Sequence, residues 1–386
     1  MALYYLTYYK PLKLQGWYFD ISPAGQQKSE YIVEQLSKNT NYCTIINLAE
    51  TSKKWGFVSK KHFTLFKNIE YIIWRGFGKP NGLARKAHYY FRRMQLKHFL
   101  NSLTKDDVVI AYHSLITADI YTKTIRKRKY KLILELEEIY QDVVNCGKRK
   151  AFWERQVINS ADGFILSTKA LKREIPTSKP FIICNGTYHI EPNMGSSFED
   201  NKVHCVYAGT FDPIKGGAAA AAAAAEFLPE KYHIHILGFG TAEQKDNIKT
   251  LVENIQKKAK CIITYDGLKS GKDFVSFIQK CHIGLCTQIP DSKYAETSFP
   301  SKILVYLANG LRVLSVRVSV VEQSSVGELL HYYDNQTPQD IAVAITQIDV
   351  AQQYDSRERL KELDNAFGHE LHELIESVQH EIKSTI

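Results

Sequence analysis

The stretch Val206–Gly217, VYAGTFDPIKGG, runs from an apolar segment through a glycine turn and a lysine into a run of eight alanines, Ala218–Ala225. Gly209 lets a ligand approach the main chain, and Lys215 adds a full positive charge. The start of the alanine helix offers free N–H groups and the positive end of a dipole, so a diphosphate could lie there. A plain strand-to-helix turn uses the same residues, and the stretch alone leaves both readings open. Two further segments end on glycine: Ile236–Gly240 (ILGFG, with Gly238 and Phe239) and Thr264–Gly267 (TYDG). The backbone at Tyr265 and Asp266 could read a nucleotide base. In Tyr294–Gly310, a loop holding Glu296, Ser298, Phe299 and Pro300 breaks into a helix at Ser301. Ser298 or Ser301 can cap that helix. Glu296 suits the orientation of sugar hydroxyls and Lys302 is a second counter-charge for phosphate, although a solvated Glu–Lys pair would read the same way.

In the N-terminal half, Leu134–Tyr140, LELEEIY, ends an apolar strand on Glu135, Glu137 and Glu138. Burying carboxylates is expensive unless they serve something. Glu135 and Glu137 alternate onto one face, and Glu138 opens the loop. A carboxylate at Glu137 could bind acceptor hydroxyls or take a proton; a salt bridge to the basic surface is the other reading. His113, in the YHS that ends another strand, either faces a cleft or belongs to the core. Ser22–Lys28, SPAGQQK, opens the first helix with Gly25, and Lys28 follows one turn later.

These residues hang on a repeating frame. Strands are predicted at Leu3–Tyr8, Cys43–Leu48, Glu70–Trp74, Val108–Tyr112, Leu132–Leu136, Gly163–Leu166 and Phe181–Cys184, with helices between them. The alternation then restarts from His204–Ala208 to Arg312–Val316, which is the signature of βαβ units around parallel sheets. Glu191–Lys202 is polar and turn-rich and reads as a linker. With 386 residues the chain is long enough for two domains. Its 44% hydrophobic and 24% charged content excludes disorder, collagen and coiled coil. No apolar run approaches a membrane span, and the N-terminus shows no secretory signal. The seven cysteines form no CxxC pair and read as reduced thiols. Residues 1–190 carry 31 Lys and Arg against 15 Asp and Glu, a net +16, whereas the remainder carries −7. The basic half should therefore meet something anionic. Its densest element, Leu83–Leu100, winds Leu83, Ala87, Tyr90, Phe91, Met94 and Leu96 onto one broad apolar side, flanked by Arg85, Lys86, Arg92, Arg93 and Lys97. Either a lipid-interface helix facing an anionic membrane with Arg85, Lys86, Tyr90, Arg92 and Arg93, or a solvated surface helix, fits that pattern.

Taken in order, VYAGTFDPIKGG, ILGFG, TYDG and ETSFPSKILVYLANGLRVLS resemble the nucleotide-sugar half of GT-B glycosyltransferases, family 4 in particular. Phe181–Gly186, FIICNG, looks like the Asn-Gly segment that closes the N-terminal domain of that family. The resemblance covers essentially the whole chain, more sharply from Phe181 onward. It implies an α/β fold of GT-B type: two Rossmann-like, doubly wound parallel-sheet domains facing across a cleft, with a C-terminal helix crossing back. Residues 1–190 would form the acceptor domain, 203–355 the donor domain and 356–386 the returning helical segment. The implied activity is retaining, metal-independent transfer of a hexose-type sugar from a nucleotide-diphosphate sugar, with a UDP-sugar favoured and no cofactor. The acceptor would be a glycan or lipid-linked molecule, as in bacterial surface polysaccharide synthesis. The expected place is the cytoplasm or the inner face of the membrane, with no nucleic-acid partner.

The family's motifs map onto individual residues. Lys215 matches the phosphate-binding lysine, and Glu296 lies close to the first of the paired glutamates. Gly25 resembles the first-loop glycine, and Glu137 stands about where many relatives carry a histidine. The expected catalytic residues are Lys215, Glu137, Glu296 and His113. The donor would touch Gly25, Gly209, Thr210, Lys215, Gly238, Phe239, Tyr265, Asp266, Glu296, Ser298, Phe299, Pro300, Ser301 and Lys302; the acceptor would touch Lys28, Glu137 and Glu138. Three positions depart from the pattern. The arginine after the glycine is Thr210, the second glutamate falls on Val305, and Glu296 sits one residue further from Phe299 than expected. Those departures keep a catalytically silent binding or chaperone subunit in view; a sugar-nucleotide epimerase of the same fold is a second alternative.

Overall fold

The computed structural model describes residues 2–14, 16–52, 57–77, 82–143, 146–195, 197–213, 217–290 and 296–380. The chain divides into two units, one made of Met1–Thr187 with Asn365–Ile386 and the other of Tyr188–Asp364.

The first unit is built on an eight-stranded sheet. From one edge the order is Phe181–Ile183, Gly163–Leu166, Lys131–Leu136, Val108–Tyr112, Leu3–Thr7, Cys43–Asn47, Ile69–Ile73 and Lys61–Phe66. All neighbours are parallel except the last pair, which is an antiparallel hairpin. The central strands are buried almost throughout, which is why they read as unbroken apolar runs rather than alternating ones. The helix Pro23–Asn39 begins where Ser22 accepts the Gly25 N–H and proline occupies the first turn, where its missing N–H costs nothing.

The helix Gly82–Ser102 departs from expectation. Leu83, Tyr90 and Met94 are 83%, 64% and 68% exposed, whereas His88, Leu96 and Leu100 are buried. The apolar residues thus do not share one side. Arg92 turns inward, its Nη2 donating to the carbonyls of Asn47 and Ala49 at 3.1 and 3.3 Å, 5.8 Å above Trp74. Burial pulls that guanidinium down to about 10. Arg93 binds both carboxylate oxygens of Asp119 at 2.7 and 2.8 Å and the Ile116 carbonyl. Neither arginine belongs to the outward, lipid-facing set; Arg85, Lys86 and Tyr90 do remain exposed. Among the described residues, no helix is long and apolar enough to cross a membrane.

The second unit carries a six-stranded, wholly parallel sheet in the order Ile262–Gly267, Tyr232–Phe239, Val203–Thr210, Ile283–Cys286, Arg312–Val316, Leu330–Tyr333. One face packs Cys205, Tyr207, Ile234, Ile236 and Ile263 against the alanine run. That run is a helix over Ala218–Ala223 that tightens into a 3-10 turn over Ala224–Phe227, not one continuous α-helix. Five of its alanines are buried. Gly217, just before it, lies so close to Thr287 that a Cβ there would strike the Thr287 carbonyl. Small side chains let this helix lie flat on the sheet. Glu191–Lys202 is not a free linker: the Glu191 N–H donates to the Ala308 carbonyl at 3.1 Å, Met194 N–H to Gln279 Oε1 at 2.7 Å, and Phe198 stacks on His204.

The last helix, Arg357–His380, has its first residues in the second unit and continues from Asn365 in the first. There Phe367, Leu371, Leu374 and Val378 are buried, and Phe367 stacks on Tyr31 with ring centroids 5.4 Å apart.

Candidate functional site

In the second unit the strand Val203–Thr210 delivers Tyr207, Gly209 and Thr210 to its carboxyl end, where open α/β sheets bind ligands. Tyr207 is buried, and its hydroxyl accepts the Gly217 N–H at 3.1 Å while donating to the Thr210 carbonyl at 2.8 Å. It therefore ties together the two ends of the loop that carries Lys215, a residue outside the described ones. Gly209 pairs with Gly238 on the next strand; a Cβ at Gly238 would collide with the Gly209 carbonyl. That approach of the strands requires the glycine at 238, whereas a Cβ on Gly209 would meet the Lys302 and Tyr207 side chains at 3.2 Å.

Lys302 opens the helix Lys302–Ala308 and comes to the same place. Its Nζ lies 4.1 Å from the centre of the Tyr207 ring and 3.2 Å from where a Cβ on Gly209 would stand. That ammonium is buried and, among the described residues, has no hydrogen-bond acceptor. A buried cation without an acceptor is costly, and an anionic ligand beside Gly209 would satisfy it. The Ser298 hydroxyl is likewise buried without a partner among the described residues.

The other expected donor residues divide. Glu296 and Ser301 are exposed, Pro300 is half-buried, and Phe299 packs into the interior. Neither Ser298 nor Ser301 caps the helix with its side chain, because Ser301 itself has helical backbone angles at the cap position. The Thr210 hydroxyl accepts the Asp212 N–H at 3.1 Å, shaping the turn. Phe239 is 46% exposed. Tyr265 is half-buried with Lys249 Nζ 5.5 Å from its ring centre. The Asp266 carboxylate faces His235 Nδ1 at 3.1 Å and accepts the Thr264 hydroxyl at 2.8 Å. Burial alone would raise Asp266, but those two hydrogen bonds outweigh it and hold it low.

In the first unit the carboxyl ends of the central strands gather a charged cluster. Lys28 is buried, its Nζ donating to Glu137 Oε1 at 2.5 Å and to the Cys184 carbonyl at 2.9 Å. Burial would lower Lys28, but the adjacent Glu137 reverses this and raises it. It is not a solvated side chain. Glu137 keeps 24% side-chain exposure. Glu135 is fully buried and accepts the Tyr5 hydroxyl at 2.7 Å. Glu138 is half-buried, and the Gly25 amide is engaged by Ser22 at 3.2 Å. His113 is a core residue, 1% exposed, with Nε2 3.4 Å from Glu154 Oε1; burial pulls it down to about 4. Glu154 in turn accepts the main-chain N–H groups of Tyr140 and Gln141 at 2.8 and 3.2 Å. With no open side, His113 does not meet a substrate hydroxyl in this structure, which corrects its place in the catalytic set.

The sequence reading missed Tyr207 and the clamp it forms. The signal available was a tyrosine two residues before the turn glycine, which puts its side chain on the same face as the turn.

No family model matches the chain, and no curated protein matches it. Solved structures do, over nearly the full length of both partners. Sucrose-phosphate synthase from Thermosynechococcus elongatus is 14% identical with a TM-score of 0.68, covering 98% of this chain and 99% of that one. The Anabaena HepE protein in complex with UDP is 12% identical with a TM-score of 0.60, covering 100% and 99%. A UDP-forming alpha,alpha-trehalose-phosphate synthase from Burkholderia xenovorans in complex with glucose-6-phosphate is 10% identical with a TM-score of 0.62, covering 98% and 100%. At this identity the likeness establishes the fold and singles out no family within it, family 4 included: the chain has the GT-B fold, two parallel-sheet α/β units.

Proposed function

We propose that this chain is a glycosyltransferase that takes a hexose-type sugar from a nucleotide-diphosphate sugar, a UDP-sugar by preference, and passes it to a glycan or lipid-linked acceptor. The observation that carries the reading is the buried Lys302 ammonium beside Gly209, which has no hydrogen-bond acceptor among the described residues. A diphosphate laid against the Gly209 main chain gives that cation its counter-charge. Charge that develops on the departing diphosphate is stabilised there, the electrostatic term that usually dominates such reactions. Lys215 is assigned as a second cation at the same turn, and Glu296, Ser298 and the main chain at Gly238 as donor contacts. Because these cations are the chain's own, the transfer step as proposed draws on no metal. In the first unit Glu137, held by Lys28, is assigned to the acceptor together with Glu138. Retention of configuration, family-4 kinship and a role in bacterial surface polysaccharide synthesis follow from the sequence resemblance. The likeness to a UDP complex and a UDP-forming synthase supports the choice of nucleotide. The outward residues Leu83, Arg85, Lys86, Tyr90 and Met94 are assigned to an anionic membrane surface.

Lys302→Met tests the reading because function and stability should move in opposite directions. Removing a buried charge that has no acceptor among the described residues should raise the unfolding temperature of the free protein. Losing one charge-assisted contact to the diphosphate, about 1.5–3 kcal/mol, should weaken UDP binding roughly 10- to 100-fold. Calorimetry with UDP, GDP and ADP, followed by donor-turnover assays with the same panel, reads both effects. UDP affinity unchanged in the variant would remove Lys302 from the site. Binding without turnover on any acceptor would move the chain to the silent-subunit class.

A further inference from the structure

We propose that His204, His233 and His235 form a binding site for a divalent transition-metal ion of the zinc type, apart from the Lys302 site. The strands Val203–Thr210 and Tyr232–Phe239 are parallel neighbours in which His204 stands opposite His233. Side chains two residues apart share a face, so His235 joins them on the side away from Cys205 and Ile234. One nitrogen from each ring falls within 4.8 Å of the others. His204 and His235 are 1% and 2% exposed.

The surroundings fix which nitrogen of each ring carries hydrogen. His204 Nε2 faces Asp200 Oδ1 at 2.8 Å, and His235 Nδ1 faces Asp266 Oδ2 at 3.1 Å. The Thr264 hydroxyl gives its one hydrogen to Asp266 at 2.8 Å, so it can only accept from His233 Nε2 at 3.0 Å. Each outer nitrogen is thus an N–H donor, the arrangement that orients histidines bound to metal. The inner nitrogens are left as lone pairs. His204 Nδ1 and His235 Nε2 point at each other across 2.9 Å, and His233 Nδ1 is buried with no partner among the described residues. Lone pairs facing at that distance repel unless a cation lies among them. Ligand nitrogens on a tetrahedral zinc at roughly 2.0–2.1 Å stand about 3.3 Å apart, so the His204–His235 pair would open by a few tenths of an ångström, and His233, stacked on His235 with ring centroids 3.9 Å apart, would turn its ring to join them. Imidazole is a ligand type that zinc, copper and nickel share. Phe198 covers the cluster, stacked on His204 at 4.0 Å and on His235 at 5.2 Å, which limits water on that side.

The test uses the full-length, tag-free protein stripped with EDTA. Titration with Co2+ should show one equivalent per chain with the absorption bands of a nitrogen-bound ion, displaced by Zn2+. His233→Gln, at the most open of the three positions, should weaken Zn2+ binding at least about 100-fold, and Asp266→Asn about 10- to 100-fold. Circular dichroism reports whether either variant folds. If neither does, 15N spectra of the wild-type histidine side chains with and without Zn2+ decide, since only a metal site shifts the three imidazoles together. Absence of stoichiometric binding, wild-type affinity in folded His233→Gln, or imidazole spectra that ignore Zn2+ would overturn the proposal and leave the 2.9 Å contact as a shared proton. None of these readouts depends on sugar transfer.

Discussion

Glu135 lies wholly inside the first unit, with one carboxylate oxygen on the Tyr5 hydroxyl and the other without a hydrogen-bond partner among the described residues. Burial, reinforced by Glu137, lifts it from 4.5 to about 7 even though Lys28 pulls the other way. The folded chain therefore keeps a proton that the unfolded chain has released between about pH 4.5 and 7. Stability from this group is present at low pH and lost as pH rises through 7, because the folded state binds more protons in that window. Glu135→Gln should then be close to neutral at pH 5 and stabilising at pH 8, by on the order of 3 kcal/mol. Urea unfolding at the two pH values measures this; an equal effect at both would show that Glu135 is ionised throughout. The pair was legible only in part. Period-two alternation put Glu135 and Glu137 on one face, but it could not say that Lys28, 109 residues away, would take Glu137 and leave Glu135 alone.

The helix Gly82–Ser102 shows what spacing can and cannot tell. Its existence was readable from composition, whereas its orientation was not. Charged residues are normally assigned outward, yet Arg92 ends on the main-chain carbonyls of Asn47, the last residue of its strand, and of Ala49 just beyond it. The hairpin strand Lys61–Phe66 escaped notice for a related reason, since at the sheet edge its residues are exposed or half-exposed and carry no long apolar run. Two sets of substitutions separate the faces of the helix. Arg92→Ala should cost about 1–3 kcal/mol by removing its hydrogen bonds to the buried Asn47 and Ala49 carbonyls, with little effect on lipid. Arg85→Glu combined with Lys86→Glu should leave stability nearly unchanged and weaken co-sedimentation with anionic vesicles, by about 1 kcal/mol for each cation lost near the surface. Equal co-sedimentation of the double variant and the wild type would end the membrane assignment.

At the scale of the molecule, the restarting βαβ alternation was enough to expect two parallel sheets, because each apolar run must be covered on both faces. The histidine cluster was not legible in the same way. His204 and His233 are 29 residues apart in sequence, and only the register of the two strands brings them opposite one another. Each unit has its own core, one containing Leu6, Val109, Leu134 and Phe164 and the other Tyr207, Ile236, Leu285 and Ile341. Two cores in one chain predict unfolding that is not all-or-none. The long last helix supplies Phe367 to the first unit alone, stacked on Tyr31. Phe367→Ala should therefore cost that unit roughly 3–5 kcal/mol, lowering one calorimetric transition and sparing the other. UDP should act the opposite way, raising the transition that Phe367→Ala leaves in place, since ligand binding stabilises only the folded unit that holds it. Each perturbation moving its own transition would assign the nucleotide to the Lys302 unit without any enzymatic assay. A single transition that responds to both would mean that the units unfold together, and UDP raising the transition that Phe367→Ala lowers would place the nucleotide in the first unit.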